Sequence, residues 1–446
     1  MTCHENPGNL AIRSQGENKK RTLFIMTEHS PKSYMPSGER ILHMALASSF
    51  FFESVIILSL RSVGKQSWKR QSRHDRNSKV LLYAVNFVRA VLYPLSALFD
   101  PVKFLVFLVH SFMLSKRYKP LFIVASMPPL EIGLSTWLLT KRKTSKLIID
   151  LRDDWESARR VQLGRYFPAI TFRALSMVAK KIYSEALVVF AATPTIAHAL
   201  ERREVTPPPI LVPNGADTSI FIPQNESVRK KIRAKYNLPL DKVIIVYCGS
   251  GTISYYRLDI ILSCVKFLPQ EVKDKIYIVL YVYSGSNQLK QMLNRLGTVD
   301  KIVDIRDPLP RKSLAEVLAA CDVGMVPFDS DAYLLCARST KLYEYLSSGL
   351  YVVSSGPKGG ELDMFFSANP ALGLFIRPSA EDFAHAISHI LKTPEDFFSD
   401  DLRKLRHSFI KKSYDRKSIM ETTMKALLER VQRNDTLNYM RNRDHG

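Results

Sequence analysis

From Arg21 onward the chain alternates short apolar runs with amphipathic stretches, and that alternation limits what it can become. "TLFIMT", "ESVIILSL", "PLFIVASM", "SKLIIDL" and "ALVVFAAT" follow one another in the first half. "KVIIVYCG", "YIVLYV", "KIVDIRD", "DVGMVPF" and "LYVVSS" follow in the second. Short, nearly all-apolar runs are strands buried on both faces, and the amphipathic stretches between them are crossover helices. The predicted class is α/β with parallel sheets. A length of 446 residues allows two such domains, each with its own core. Between residues 201 and 222 the texture changes to "TPPP" and "NGADTSIF", which places a hinge near 205. The expected organisation is a polar lead-in over 1–20, one domain over 21–205, a second over 206–400, and a basic helical tail over 401–446 packing back on the first domain.

The charge is unusual. Sixty-four Lys and Arg oppose 42 Asp and Glu, a formal net charge of +22. That points to an anionic partner: nucleic acid, acidic lipid or a phosphorylated substrate. No RNA- or DNA-binding signature accompanies the charge, so nucleic acid is not expected. Five scattered cysteines (Cys3, Cys248, Cys264, Cys321 and Cys336) form no CxxC pair. They argue against a disulfide scaffold or zinc site and for a reducing compartment. Residues 1–20 are polar, unlike a secretory signal, and the expected location is cytoplasmic. The sequon at Asn225 is a chance match in that setting.

Residues 61–79 carry seven Lys/Arg against one acid, and a greasy segment follows. Arg89, Pro94, Asp100, Pro101, Lys103 and His110 interrupt it, so no clean run of about 18 apolar residues survives to span a membrane. Two amphipathic helices are expected, near 79–98 and 101–115. With the basic run they would make residues 61–119 a membrane-facing patch; the plainer alternative is that they cover the sheet.

Loops after strands carry ligands in open α/β sheets. Gly38 opens a helix in "PKSYMPSGE", either as a plain turn or where a missing side chain lets backbone approach a diphosphate. "DLRDDW" crowds Asp150, Arg152, Asp153 and Asp154 after a buried strand, where like charges need a ligand or partner to compensate them; the alternative is a salt-bridged loop with an N-cap aspartate. "ARSTKLYEYLSSGL" starts a helix at Ser339, Thr340 and Lys341, places Glu344 a turn in, and stops at Gly349. On these residues alone Lys341 and Glu344 are either a surface i,i+3 pair or an anion site with a carboxylate for hydroxyl groups.

In order, "PSGERILHMALAS", "IIDLRDDW", "VVFAATPTIAHAL", "VPNGADTSIF", "YCGSGTISYYRLDIIL", "LAACDVGMVPF" with "STKLYEYLSSGLYVVSS", and "NPALGLFIRPSAEDFAHAISHIL" resemble the retaining glycosyltransferases of the GT-B fold, family 4 (glycosyl transferases group 1) in particular. The resemblance covers about residues 22–410. It implies two doubly wound Rossmann-like domains facing a central cleft, and a metal-independent, cofactor-free transfer from a nucleotide-sugar. The donor site it implies comprises Gly38, Gly249, Arg257, Arg338, Ser339, Thr340, Lys341 and Glu344, the glutamate on ribose hydroxyls. Lys341 and Arg257 would stabilise the leaving diphosphate. Asp150, Arg152 and Asp153 would line the acceptor side, with Asp153 or Asp154 orienting the acceptor hydroxyl.

Three positions depart from the family pattern. Cys336 stands where many relatives have a sugar-binding glutamate; Ser250 and Tyr256 stand where they have phosphate-binding Arg and Lys. Arg257 is the expected substitute. The implied acceptor is lipid-linked or membrane-associated, in glycan, polysaccharide or glycolipid synthesis, and the protein is expected to sit peripherally on the inner face of the membrane. A sugar-nucleotide epimerase of the same fold and a catalytically altered partner subunit remain alternatives.

Overall fold

A computed structural model of the chain describes residues 22–28, 36–62, 71–75, 78–87, 95–141, 144–252, 255–297 and 302–443. The lead-in 1–20, the loop 31–35 before Gly38, and Lys65, Lys69 and Arg70 of the basic run lie outside them. The chain divides into two compact units, one of residues 1–212 with 417–446 and one of residues 213–416. The boundary thus falls between Val212 and Pro213 rather than at 205, and residues 401–416 belong with the second unit.

The first unit is built on eight strands: β1 Thr22–Thr27, β2 Ser54–Ser62, β3 Gln71–Asp75, β4 Ser78–Phe87, β5 Phe122–Met127, β6 Lys146–Leu151, β7 Val188–Ala191 and β8 Ile210–Leu211. Their order across the sheet is β3-β4-β2-β1-β5-β6-β7-β8. Every neighbouring pair is parallel except β3–β4. β1 and β5 are buried at every residue, as strands covered on both faces must be. One core joins Leu23, Ile25, Phe52, Val55, Phe122 and Phe190 to Met420, Met424 and Leu427. The C-terminal helix Arg416–Arg443 supplies the last three.

Over residues 79–87 the helix expected at 79–98 is a strand instead, and residues 88–94 lie outside the described residues. β4 pairs with β2 in parallel register, Val55 with Val80 and Leu58 with Tyr83. A short apolar run has no periodicity that separates a buried strand from a helix. What decides is β2, whose outer row of backbone groups needs a partner. Among the described residues that follow, Leu95–Leu98 and Pro101–Tyr118 are helical.

In that second helix the polar residues that interrupt the greasy segment have structural work. Asp100 is the N-cap, accepting from the backbone N–H groups of Val102 and Lys103. Lys103 pairs with Glu28 at 2.6 Å. Phe107, Ser111 and Leu114 face inward, whereas Val102, Leu105, Val109 and Met113 are exposed along the other side. Among the described residues no helix is long and apolar enough to cross a membrane.

The second unit has six strands: β9 Val243–Gly249, β10 Ile276–Val282, β11 Val303–Arg306, β12 Val323–Pro327, β13 Tyr351–Ser355 and β14 Gly373–Ile376. The order is β11-β10-β9-β12-β13-β14, all parallel. The chain builds outward from β9 through β10 to β11, then returns to lay β12 on the other side of β9. That reversal opens a crevice at the carboxyl ends of β9 and β12, the position where such sheets bind ligands. In the first unit the same reversal falls between β1 and β5.

Candidate functional site

The helix Thr340–Ser347 follows β12 and is seated by one missing side chain. A Cβ on Gly324 of β12 would stand 2.4 Å from the Tyr345 ring, so only glycine admits the tyrosine there. The Tyr345 hydroxyl in turn accepts from the backbone N–H of Cys248 in β9 at 2.8 Å. These two contacts fix the helix over the ends of both strands. Its far end closes as the sequence predicts. Gly349 has φ +88°, its N–H reaches the Leu346 carbonyl, and the Leu350 N–H reaches that of Tyr345, which is a Schellman cap. At the near end Ser339 is the N-cap residue, but its side chain makes no capping hydrogen bond.

The seated helix drives Lys341 into the crevice. The side chain is only 8% exposed, and its ammonium lies 4.1 Å from the Tyr247 ring centroid and 3.7 Å from that of Tyr256. Among the described residues Nζ has no hydrogen-bond partner. Burial pulls its pKa down to about 7, opposed by Cys248 and Glu344. Gly249 closes the remaining side: a Cβ there would come within 2.8 Å of Nζ and of the Tyr247 hydroxyl. That hydroxyl donates to the Ser250 carbonyl at 2.8 Å. Ser250, where the family pattern has an arginine, joins Thr252 and Ser284 in a cluster of hydroxyls 2.8–3.2 Å apart.

The other expected donor residues are already engaged. Arg257 is held by Asp259, at 2.9–3.3 Å, and by Asp329 at 3.3 Å, so its charge is compensated where it stands. Arg338 pairs with buried Glu361. Glu344 faces Arg311 at 3.3 Å and Arg416 at 3.7 Å. Cys336 is buried, its thiol on the Tyr333 carbonyl. The Asn-Gly turn after the domain boundary also reaches this region, where Asn214 donates to the Arg338 carbonyl at 3.3 Å.

In the first unit "DLRDDW" follows β6. Asp150 is fully buried and clasped by Arg40, with Nη2 at 2.6 Å and Nε at 3.1 Å. Ser126 donates to its other oxygen, and Arg40 also reaches the Val212 carbonyl. Asp150 is therefore occupied inside the protein rather than open to an acceptor. Arg152 turns back to the Met127 and Pro128 carbonyls. Asp154 caps the helix Trp155–Leu163 through the Ser157 N–H. Asp153 alone of the four is exposed, and it has no hydrogen bond or ion pair among the described residues. Gly38 is buried at the start of the helix Pro36–Ser48, two residues before Arg40. Arg40 is the residue that sequence reasoning missed; its signal is the charge excess of the aspartate cluster, which demands a cation.

Two α/β domains, each with a strand reversal in its parallel sheet, define the GT-B fold. No family model matches the chain. Sucrose-phosphate synthase from Thermosynechococcus elongatus superposes with a TM-score of 0.71 at 18% identity, covering 92% of this chain and 99% of that one. Anabaena HepE in complex with UDP-glucose superposes with a TM-score of 0.64 at 13% identity, over 91% of this chain and 99% of that one. A curated relative, D-inositol 3-phosphate glycosyltransferase of Corynebacterium aurimucosum, is 24% identical over 215 residues, 47% of this chain. The chain spans about half the length of that relative, 49%.

Proposed function

We propose that this protein transfers a sugar from a nucleotide-sugar donor to an acceptor hydroxyl. One observation carries the reading: a buried lysine, Lys341, whose Nζ has no hydrogen-bond partner among the described residues, stands at the strand reversal where this fold takes its ligands. An unpaired buried cation is costly, and a diphosphate would supply the missing negative charge. HepE, which shares the fold, is described in complex with UDP-glucose. As the glycosidic bond loosens, charge grows on the diphosphate oxygens; a preorganised ammonium stabilises that change more than it stabilises the bound donor. Glu344, oriented by Arg311 and Arg416, is assigned to the ribose hydroxyls. Arg257 would act on the diphosphate only by leaving Asp259 or Asp329, so Lys341 is the principal cation.

On the acceptor side, Asp153 is the carboxylate assigned to orient the incoming hydroxyl. The reaction we assign is a retaining one that needs neither a metal nor a protein nucleophile. A membrane-associated acceptor is supported by the exposed Val102, Leu105, Val109 and Met113 of one helix, which ends in Lys116, Arg117 and Lys119. Such a face would lie in an anionic interface with its basic end on lipid phosphates. The test is turnover of UDP- and GDP-sugars with and without a lipid acceptor. Release of nucleoside diphosphate that requires the acceptor supports transfer. Conversion of the free nucleotide-sugar would instead identify an epimerase, and no turnover with either would identify a partner subunit.

A further inference from the structure

We propose that Tyr247 and Tyr256 are positioning residues that hold Lys341 without an anion, so that binding of the donor diphosphate draws one proton from solvent onto its Nζ. The proposal rests on the donor site assigned above and adds to it the state of that site before the donor arrives.

The enclosure is specific. Nζ is bounded by the two phenol rings and by the backbone of Gly249, a wall that any side chain at that glycine would invade. The Tyr256 ring is itself fixed, stacked on Phe328 with centroids 5.2 Å apart, and Tyr247 is tied to the Ser250 carbonyl. Ring faces favour a cation but leave all its hydrogen-bond donors unused.

The charged and titratable neighbours do not replace an anion. On the same helix, Glu344 is turned to Arg311 and Arg416. From β9, burial pushes the Cys248 thiol and the Tyr247 phenol well up, and Tyr345 likewise, so all three are neutral through pH 9. Beside Tyr256, Arg257 is closed by Asp259 and Asp329; before the helix, Arg338 is closed by Glu361. Desolvation therefore acts on Lys341 with little to offset it, and its pKa sits at about 7. The two aromatic faces push the other way. A diphosphate in contact with Nζ would restore the charged form above pH 9. Nothing but a proton is transferred, from buffer to the amine nitrogen.

Calorimetry of the full chain with UDP, and in parallel GDP, tests this in two buffers of different ionisation heat. At pH 8 a free nucleoside diphosphate is already ionised, its last phosphate titration lying near pH 6. The expected result is buffer-dependent heat equal to an uptake approaching one proton per nucleotide at pH 8, fading toward pH 6. Affinity should fall by up to tenfold per pH unit above neutrality. Lys341→Met removes the buffer-dependent component. Tyr256→Leu shifts the affinity profile to lower pH, and Tyr256→Phe, which keeps the ring, restores it. Nucleotide binding with the same heat in both buffers would overturn the coupling while leaving the donor site standing. A protein that binds neither nucleotide at any pH would overturn the donor site and the coupling with it.

Discussion

Tyr345 occupies the space that a side chain on Gly324 would fill, and this contact between helix and strand carries Lys341 to its place. Gly324→Ala would bring a methyl to 2.4 Å of the ring, and the helix must lift. Overpacking of this kind costs about 1–3 kcal/mol. We expect a lower denaturation midpoint and weaker nucleotide affinity together, measured by urea unfolding and calorimetry on the same preparation. A loss of stability with affinity intact would detach the helix seat from the site.

Asp150 and Asp153 lie three residues apart and should fail differently. Asp150→Asn breaks a buried pair and strands the Arg40 guanidinium, at a cost of about 3–5 kcal/mol. Asp153 is exposed, and Asp153→Asn should leave stability within about 0.5 kcal/mol while lowering turnover. Thermal unfolding and steady-state rates separate the two. If Asp153→Asn turns over normally, the acceptor role returns to another residue.

Glu344→Ala should weaken nucleotide binding by tenfold or more, since a hydrogen bond to a carboxylate contributes about 1.5–3 kcal/mol. It also leaves Arg311 and Arg416 without their shared anion, so some stability goes too. Glu344→Gln, which keeps the acceptor oxygen, should recover part of the affinity. Calorimetry with the nucleoside diphosphate reads both, and unchanged affinity in Glu344→Ala would make the residue purely structural.

The contribution of Lys341 to stability without ligand should rise as pH climbs from about 7 to 9. In the unfolded chain Lys341 keeps its proton up to about pH 10.4, whereas in the fold its pKa is about 7. Over that window the unfolded lysine binds more protons than the folded one, and its contribution increases with pH; the buried Cys248, Cys264 and Cys321 thiols, raised by desolvation, oppose it from about pH 8, where unfolded thiols ionise. Above the window the trend reverses: the folded pKa values of Tyr247, Tyr343 and Tyr345 are raised, so stability is lost where the unfolded phenols ionise. Lys341→Met should therefore give a lower slope of stability against pH than the parent protein between pH 7 and 9 in denaturant titrations. An equal slope in both proteins would mean that Lys341 stays charged.

The fold was largely legible because buried parallel strands announce themselves as short apolar runs, and β1, β5, β6, β9 and β12 stand where "TLFIMT", "LFIVASM", "KLIID", "VIIVYCG" and "VGMVP" place them. β4 was not, because ten residues that extend the sheet between β2 and β3 read locally like one side of a helix. In the site, the cap at Gly349 followed from spacing, whereas the burial of Lys341 did not, since the residues alone left it either a surface pair with Glu344 or an anion site. The partners did not. That Arg40 answers Asp150 across 110 residues, or that Tyr247 and Tyr256 converge on Lys341, depends on which strands become neighbours. A local pattern carries no record of that.

The exposed face of the helix Pro101–Tyr118 predicts peripheral binding to vesicles containing anionic lipid, weakening as salt rises. Replacing Leu105, Val109 and Met113 with serine should loosen it with little effect on the fold, because all three are exposed. Co-sedimentation measures it; binding indifferent to lipid charge and salt would contradict the interfacial reading.

The central claim is that Lys341 receives the donor diphosphate, and a crystal structure with bound UDP or GDP tests it most directly. The account predicts diphosphate oxygens within about 3 Å of Lys341 Nζ, a charge-assisted hydrogen-bond distance, with the ribose on Glu344. A nucleotide bound elsewhere, with Lys341 still closed between Tyr247 and Tyr256, would contradict it.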